Sequence, residues 1–211
     1  LSVNLAELKT LESEFDQDLW FKLHLQIFIE WAFKLNQMHL EGLVHGDLNP
    51  TNLLLMSPHE CLIIDFDHAH VEFQSKLGEG TPRYFSPNQF IRGELKLVDE
   101  IYSMGLMLLE SLLGVHPYEG LNSEELRDDL QGSRQCLKDS LQGFKDKYSH
   151  PGLFEFFQRV LIDESIEDGE EFSEHLEIEL DKMGENLSQD RIDSSLKNLI
   201  LSGSSSASAG N

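Results

Sequence analysis

Two segments of this sequence are too apolar to lie on a surface, and they constrain the fold more than any other feature. From about Asp18 to His39 the apolar residues Leu19, Phe21, Leu23, Leu25, Ile27, Phe28, Trp31, Phe33, Leu35 and Met38 fall around most of a helical circumference. That is the pattern of a helix buried among others. Ile101 to Leu113, IYSMGLMLLESLL, is a second such segment, ended by Gly114 and Pro117. Each needs partners on every side, so the fold class predicted is mainly α, a helical bundle. Glu41-Gly42 closes the first helix, with Gly42 as a left-handed cap.

Further helices are predicted at Leu5–Leu11, Ser123–Leu130, Leu153–Ile162, Glu170–Met183 and Arg191–Leu201. Two short apolar runs, Leu53–Met56 and Cys61–Ile64, flank the turn Ser57-Pro58-His59-Glu60 and read as a small β-hairpin. The closing SGSSSASAGN cannot pack and is expected to be disordered. The predicted division is therefore 1–185, a bundle with an acidic C-terminal helix, and 186–211, a terminal helix and tail.

Composition removes several classes of function. Asp and Glu number 38 against 16 Lys and Arg in 211 residues, a formal charge of −22. Such a chain repels phosphate backbones and anionic lipid, so no nucleic acid is expected as a partner. The longest apolar stretch, Leu25 to Phe33, is interrupted by Gln26 and Glu30 and is too short to span a bilayer, so no membrane insertion is expected. Cys61 and Cys136 show neither CxxC nor Cys/His spacing, which predicts a reducing compartment. The chain opens on Leu1 with no charged-then-apolar leader, and the localisation expected is cytoplasmic.

Residues 161–193 hold 13 acidic and 2 basic side chains. Phe172, Leu176, Ile178, Leu180 and Met183 against Glu171, Glu174, Glu177, Glu179 and Asp181 predict a solvated amphipathic helix there. The alternative is a docking or export signal resembling the glutamate-rich signals of some secreted bacterial effectors that act in host cytosol.

The reactive residues gather at the hairpin. His45-Gly46-Asp47-Leu48-Asn49-Pro50-Thr51-Asn52 runs into its first strand, and Ile64-Asp65-Phe66-Asp67 leaves its second. This order brings Asp47, Asn52 and Asp65 to one end of the hairpin. Two carboxylates and an amide suit magnesium, a hard cation that takes oxygen ligands and keeps company with phosphate. A carboxylate left off the metal can accept a proton from an attacking hydroxyl. These are the parts of a phosphoryl-transfer site.

HGDLNPTN resembles the catalytic loop H-R-D-L-x-x-x-N of protein kinases, and IIDFD resembles the strand leading into D-F-G. Gly80-Thr81-Pro82-Arg83-Tyr84-Phe85-Ser86-Pro87 looks like the G-T-x-x-Y-x-A-P that ends a kinase activation segment. Glu100-Ile101-Tyr102-Ser103-Met104-Gly105 looks like the D-x-W-S-x-G that opens the central helix of the C-lobe. Any one match is weak, since an H-x-D triplet also describes an ordinary turn aspartate. Four in order, over about residues 5 to 165, are specific. The resemblance implies a protein-kinase-like C-lobe with ATP and magnesium as cofactors and a protein substrate. Asp47 would be the catalytic base, Asn52 a magnesium ligand, and Asp65 the magnesium ligand that bridges the phosphates. Thr81, with Asn49, would belong to the substrate loop, while His45, Glu100 and Tyr84 would be structural.

The departures matter as much. No G-x-G-x-x-G occurs, and only about 17 residues precede the long helix, too few for a five-stranded N-lobe at ~5–6 residues per strand. The N-lobe is expected to be absent from these residues and to be required from sequence upstream. Lys9, Lys22 and Lys34 lie on predicted helices and are expected to be solvated rather than phosphate ligands. Gly46 replaces the arginine of H-R-D, Asn49 a lysine, and Asp67 the glycine of D-F-G. Asn88 replaces the glutamate of A-P-E, whose arginine partner is missing from Asp163–Asp168, so both halves of that ion pair are expected to be lost together.

The reading is a divergent Ser/Thr-directed kinase. Two alternatives stand beside it: a pseudokinase used as a binding module, and a small-molecule phosphotransferase of the aminoglycoside or choline kinase type, whose H-G-D-L-x-P-x-N and I-D-F-D are similar but which lacks G-T-P-x-Y-x-S-P.

Overall fold

The computed structural model describes residues 3–8, 16–57, 60–71, 80–184, 194, 197 and 198. The two apolar segments are its organising helices. The first, α2 (Gln17–Leu40), starts where the Asp16 side chain accepts from Leu19 N and ends at Glu41, with Gly42 left-handed at φ 71°. The second, α4 (Leu97–Leu113), is buried without interruption from Asp99 to Leu112. Around them come a short strand β1 (Val3–Asn4), α1 (Leu5–Leu8), β2 (Leu43–Val44), β3 (Leu53–Ser57), β4 (Glu60–Ile63), β5 (His70–Val71) and α3 (Pro87–Arg92). After α4 follow α5 (Ser123–Gln131), α6 (Gln135–Lys147), α7 (Pro151–Phe157), a π-helical turn at Gln158–Ile162, and α8 (Gly169–Lys182). One continuous core holds the bundle, and α2 packs most extensively on α8, then on α4 and β4. The mainly α bundle with a small hairpin is thus the architecture of the described residues.

The hairpin β3–β4 is antiparallel, with Leu53 opposite Ile63 and Leu55 opposite Cys61. Its apolar positions alternate, Cys61 and Ile63 inward and Glu60 and Leu62 outward, so one face lies on the core. β1 adds a third strand to β3 through Val3 opposite Leu55, and β2 pairs with β5 through Leu43 opposite Val71. Neither pairing is predicted by the sequence reading, because two-residue strands carry no periodicity. The unpredicted α3 begins with a Ser86 cap that accepts from Gln89 N and with Pro87 in its first turn. The unpredicted α6 buries Leu137, Leu141 and Phe144 at helical spacing within an otherwise polar sequence.

Three expectations need correction. Lys22 is not solvated: it is 5% exposed, and its Nζ donates to Gly184 O at 2.6 Å, tying the end of α8 to α2. On α8 the buried stripe is Phe172, Leu176 and Glu179, whereas Ile178 is half exposed. Glu179 takes an inward position because its carboxylate lies against the start of α7, at Gly152, while pairing with Lys182. The region facing Asn88 also keeps a polar bridge. The Asn88 amide donates to Glu164, which is paired with Arg134 at 2.9 Å, so the arginine comes from the start of α6 and the acid has changed sides. Most of the predicted helix Arg191–Leu201, the closing tail, Lys9 and the hairpin tip at Pro58-His59 lie outside the described residues.

Candidate active site

The catalytic-loop candidate, residues 45–52, is held from below by α4. Glu100 Oε1 accepts from Gly46 N at 2.9 Å, and Oε2 from His45 N at 3.1 Å. Glu100 is 1% exposed, so these amides are satisfied by a buried carboxylate. Glu100, one methylene longer than the aspartate of the D-x-W-S-x-G pattern it resembles, thus reaches both amides. His45 is fully buried and crosses to the neighbouring strand. Its Nε2 contacts Ile64 O at 2.8 Å while its Nδ1 accepts from Asp47 N at 3.3 Å. The second contact makes Nδ1 the acceptor and puts the ring proton on Nε2. The ring also lies 5.0 Å from that of Phe66.

Above this base the polar side chains knit the loop together. Asn52 Nδ2 donates to Asp47 O at 2.9 Å, and Asn52 O accepts from Ile64 N at 2.9 Å, so Asn52 spans loop and hairpin. Asn49 accepts on Oδ1 from Thr51 N at 3.0 Å and from Thr51 Oγ1 at 2.5 Å. Its Nδ2 donates to Asp47 O at 3.2 Å and to Thr81 Oγ1 at 3.4 Å. The Thr81 hydroxyl in turn donates to Asp47 Oδ1 at 2.7 Å. Asp47 and Thr81 stand 34 positions apart, so this bond docks the segment after residue 80 onto the loop. Asp65 adopts the left-handed region, φ 66° and ψ 70°, rare outside glycine and tolerated best by Asn and Asp.

Asp47, Asn49, Asn52, Asp65 and Thr81 line one open cleft of about 560 Å³, together with Ala6 and Arg83. Two further residues of that cleft, Tyr84 and Glu110, were not foreseen as a pair. The Tyr84 hydroxyl donates to Glu110 Oε2 at 2.8 Å, and burial, reinforced by that carboxylate, pushes the phenol far above its ordinary range. The signal for Glu110 was legible: it is the lone acid in the apolar run LMLLESLL.

The donor set fits a magnesium ion that arrives with phosphate. Asn52 commits its amide nitrogen to Asp47 O, which leaves the carbonyl oxygen as the atom that could ligate a metal. Asp65 supplies a carboxylate in the same cleft. Among the described residues no group of three or more His, Cys, Asp or Glu side chains is placed to hold a metal, so this is no all-protein cage. Magnesium bound through one or two protein oxygens and completed by water and phosphates needs none.

A helical lobe whose hairpin carries this loop defines the phosphotransferase class of the kinases. The protein kinase domain matches residues 12–195, and the chain belongs to that family. Among curated relatives, an Arabidopsis thaliana leaf rust 10 disease-resistance locus receptor-like protein kinase-like 1.3 is 34% identical over 94 residues, 41% of this chain and 13% of the relative. Serine/threonine-protein kinase PKH3 of Eremothecium gossypii is 31% identical over 103 residues, 44% of this chain and 14% of the relative. Serine/threonine-protein kinase 1 of Heliothis zea nuclear polyhedrosis virus is 28% identical over 110 residues, 52% of this chain and 41% of the relative. The chain therefore spans well under half the length of each of these relatives. No helix among the described residues is long and apolar enough to cross a membrane.

Proposed function

We propose that this chain carries the catalytic lobe of a Ser/Thr-directed protein kinase, which moves the γ-phosphoryl group of ATP to a hydroxyl of a protein substrate. The observation that carries the reading is the bond from the Thr81 hydroxyl to Asp47 Oδ1, inside a cleft that Asn52 and Asp65 share. Asp47 is the base that accepts the proton of the substrate hydroxyl. Asn52 and Asp65 hold magnesium, which when bound neutralises phosphate charge. Asn49 and Thr81 fix the substrate loop against Asp47, and His45, Glu100 and Tyr84 are scaffold. An N-lobe from sequence upstream supplies the glycine-rich lid and lysine. The kinase lobe ends near residue 185, before a separate tail, and the enzyme acts in the cytoplasm.

The test separates two aspartates by role in the full-length enzyme. Asp65→Ala is expected to weaken magnesium–nucleotide binding, because it removes a ligand of a doubly charged ion. Asp47→Ala is expected to leave nucleotide affinity near that of the parent and lower turnover by ~10²–10⁴. Titration calorimetry and steady-state kinetics on both variants decide it. Equal loss of nucleotide affinity in the two would overturn the assignment.

A further inference from the structure

The first turn of α4 carries two adjacent buried acids that serve different parts of the site. Glu100 holds the catalytic-loop amides. Asp99 is 1% exposed, points about 100° away round the helix, and collects three donors of its own. Its Oδ1 accepts from the Ser86 hydroxyl, and its Oδ2 from an Arg92 guanidinium nitrogen and from Lys96 N at 2.7 Å. Ser86 is the N-cap of α3 and Arg92 its last residue, so one carboxylate grips that short helix at both ends. The Ser86 hydroxyl is used twice, since it also accepts from Gln89 N at 2.9 Å. One turn further along α4, Ser103 Oγ donates to Tyr84 O at 2.8 Å. The segment from Thr81 to Ser86 is therefore fixed at its start by Asp47, in its middle by Ser103 and at its end by Asp99.

The hold at Ser86 belongs to this chain rather than to the pattern it resembles. In G-T-x-x-Y-x-A-P an alanine stands where Ser86 stands, and alanine has no hydroxyl to donate. Two residues on, Asn88 has taken the place of the A-P-E glutamate, and its bond to Glu164 lies exposed. An exposed polar contact adds little, because water competes for both partners. A buried carboxylate deprived of a donor has no water to replace it, so the bonds to Asp99 are the stronger restraint on α3.

We infer that Asp99 is a positioning residue for the substrate segment, fixing α3 through Ser86 and Arg92 and with it the end of the segment whose Thr81 docks on Asp47. The inference rests on the function proposed above for the role of that segment, but the hold itself is tested without turnover.

The test is site-resolved amide hydrogen exchange in the full chain, comparing the parent with Asp99→Ala, Asp99→Asn and Asn88→Ala. The amides of Tyr84, Gln89 and Phe90, bonded to Thr81 O, Ser86 Oγ and Ser86 O, report on the segment and α3. Those of His45 and Gly46, held by Glu100, are the controls. Loss of a hydrogen bond to a charged group shifts a local opening equilibrium by about 10- to 100-fold. The three reporters are expected to exchange faster by that factor in Asp99→Ala, by about 10-fold in Asp99→Asn, which still accepts but carries no charge, and by less than about 5-fold in Asn88→Ala. If Asp99→Ala does not fold, the contrast between Asp99→Asn and Asn88→Ala carries the result. Acceleration confined to Lys96 and the first turn of α4 would reveal a helix cap alone and overturn the inference. So would equal acceleration at His45 and Gly46, or exchange at the reporters as fast in Asn88→Ala as in Asp99→Asn. In the full-length enzyme Asp99→Asn is expected to raise the KM for a protein substrate by about 5-fold or more and to leave that for ATP near the parent value, and an equal rise in both would also overturn it. A full-length parent without turnover counts against the proposed function, and the exchange contrast then decides the role of Asp99 by itself.

Discussion

A side chain at position 46 would collide with the backbone that follows Asp65. Gly46 has φ 91°, and a Cβ there would lie 2.3 Å from the carbonyl oxygen of His68. The residue that replaces the arginine of H-R-D is therefore more than a deletion of charge: the segment after Asp65 has closed over the place the side chain would leave from. Restoring the family residue with Gly46→Arg is expected to destabilise the chain by about 3 kcal/mol, combining positive-φ strain with overpacking. Urea denaturation of parent and variant measures this, and equal midpoints would mean that the His68 backbone yields freely. The site residues were largely legible because chemistry fixes their types: Asp47, Asn52, Asp65 and Thr81 each hold a motif position and line one cleft. Less legible were the residues that act on them from a distance. His39, whose ring donates to the loop-bearing Glu100, lies 61 positions from it, and spacing in sequence does not encode contacts of that range.

Between elements, the bridge from α3 to the segment after the π-helical turn has changed its chemistry. Asn88 donates to Glu164, and Arg134, besides pairing with Glu164, donates to Leu161 O and Ile162 O. Returning the family glutamate with Asn88→Glu sets two carboxylates against each other, at an expected cost of about 1 kcal/mol for a site on the exposed side of the bridge. Glu164→Arg alone sets two arginines together. The double variant is expected to recover most of both losses, and a chemical-denaturation cycle with no coupling between the two would show that Asn88 and Glu164 do not touch. A second contact between elements is sensitive to pH. His150, at the N-terminal end of α7, stacks on Phe21 of α2 with ring centroids 4.6 Å apart. Burial lowers its pKa from the ordinary 6.5, against the opposing pull of Asp18 and Glu179. A lowered pKa means the unfolded chain binds the proton first, so the contribution is complete above about pH 6.5 and is lost as pH falls below it. Stability measured between about pH 5 and 8 is expected to decline towards acid, and to decline less in His150→Gln. Identical slopes would remove His150 from the account. The long helices behind these contacts were readable because they are apolar all round. By contrast α3 and the strands β1, β2 and β5 are too short for a period to show, and pairing or capping by the rest of the fold makes them regular.

At the scale of the molecule the question is what the described cleft can do with a nucleotide. Phosphoryl transfer rests on holding the phosphates in place and neutralising them, and both need cations or a covering backbone. The cleft offers Asp47, Asp65 and Glu110 as acids. Its basic residue, Arg83, lies 3.7 Å from Glu119, with both side chains about half exposed. Lys22 is committed to Gly184 O and does not line the cleft. The formal charge of −22 adds a long-range repulsion of an anionic ligand, strongest at low ionic strength. Magnesium, held as proposed by Asn52 and Asp65, would offset two of the charges of ATP and leave the remainder unanswered. Residues 1–211 alone are therefore expected to bind ATP weakly or undetectably with magnesium present, on the millimolar side of about 10⁻⁴ M. Titration calorimetry at about 0.15 M salt, where the long-range term is damped, reads this directly. Affinity in the micromolar range would mean that a segment of this chain covers the phosphates in place of a glycine-rich lid, and the requirement for an upstream N-lobe would fall with it.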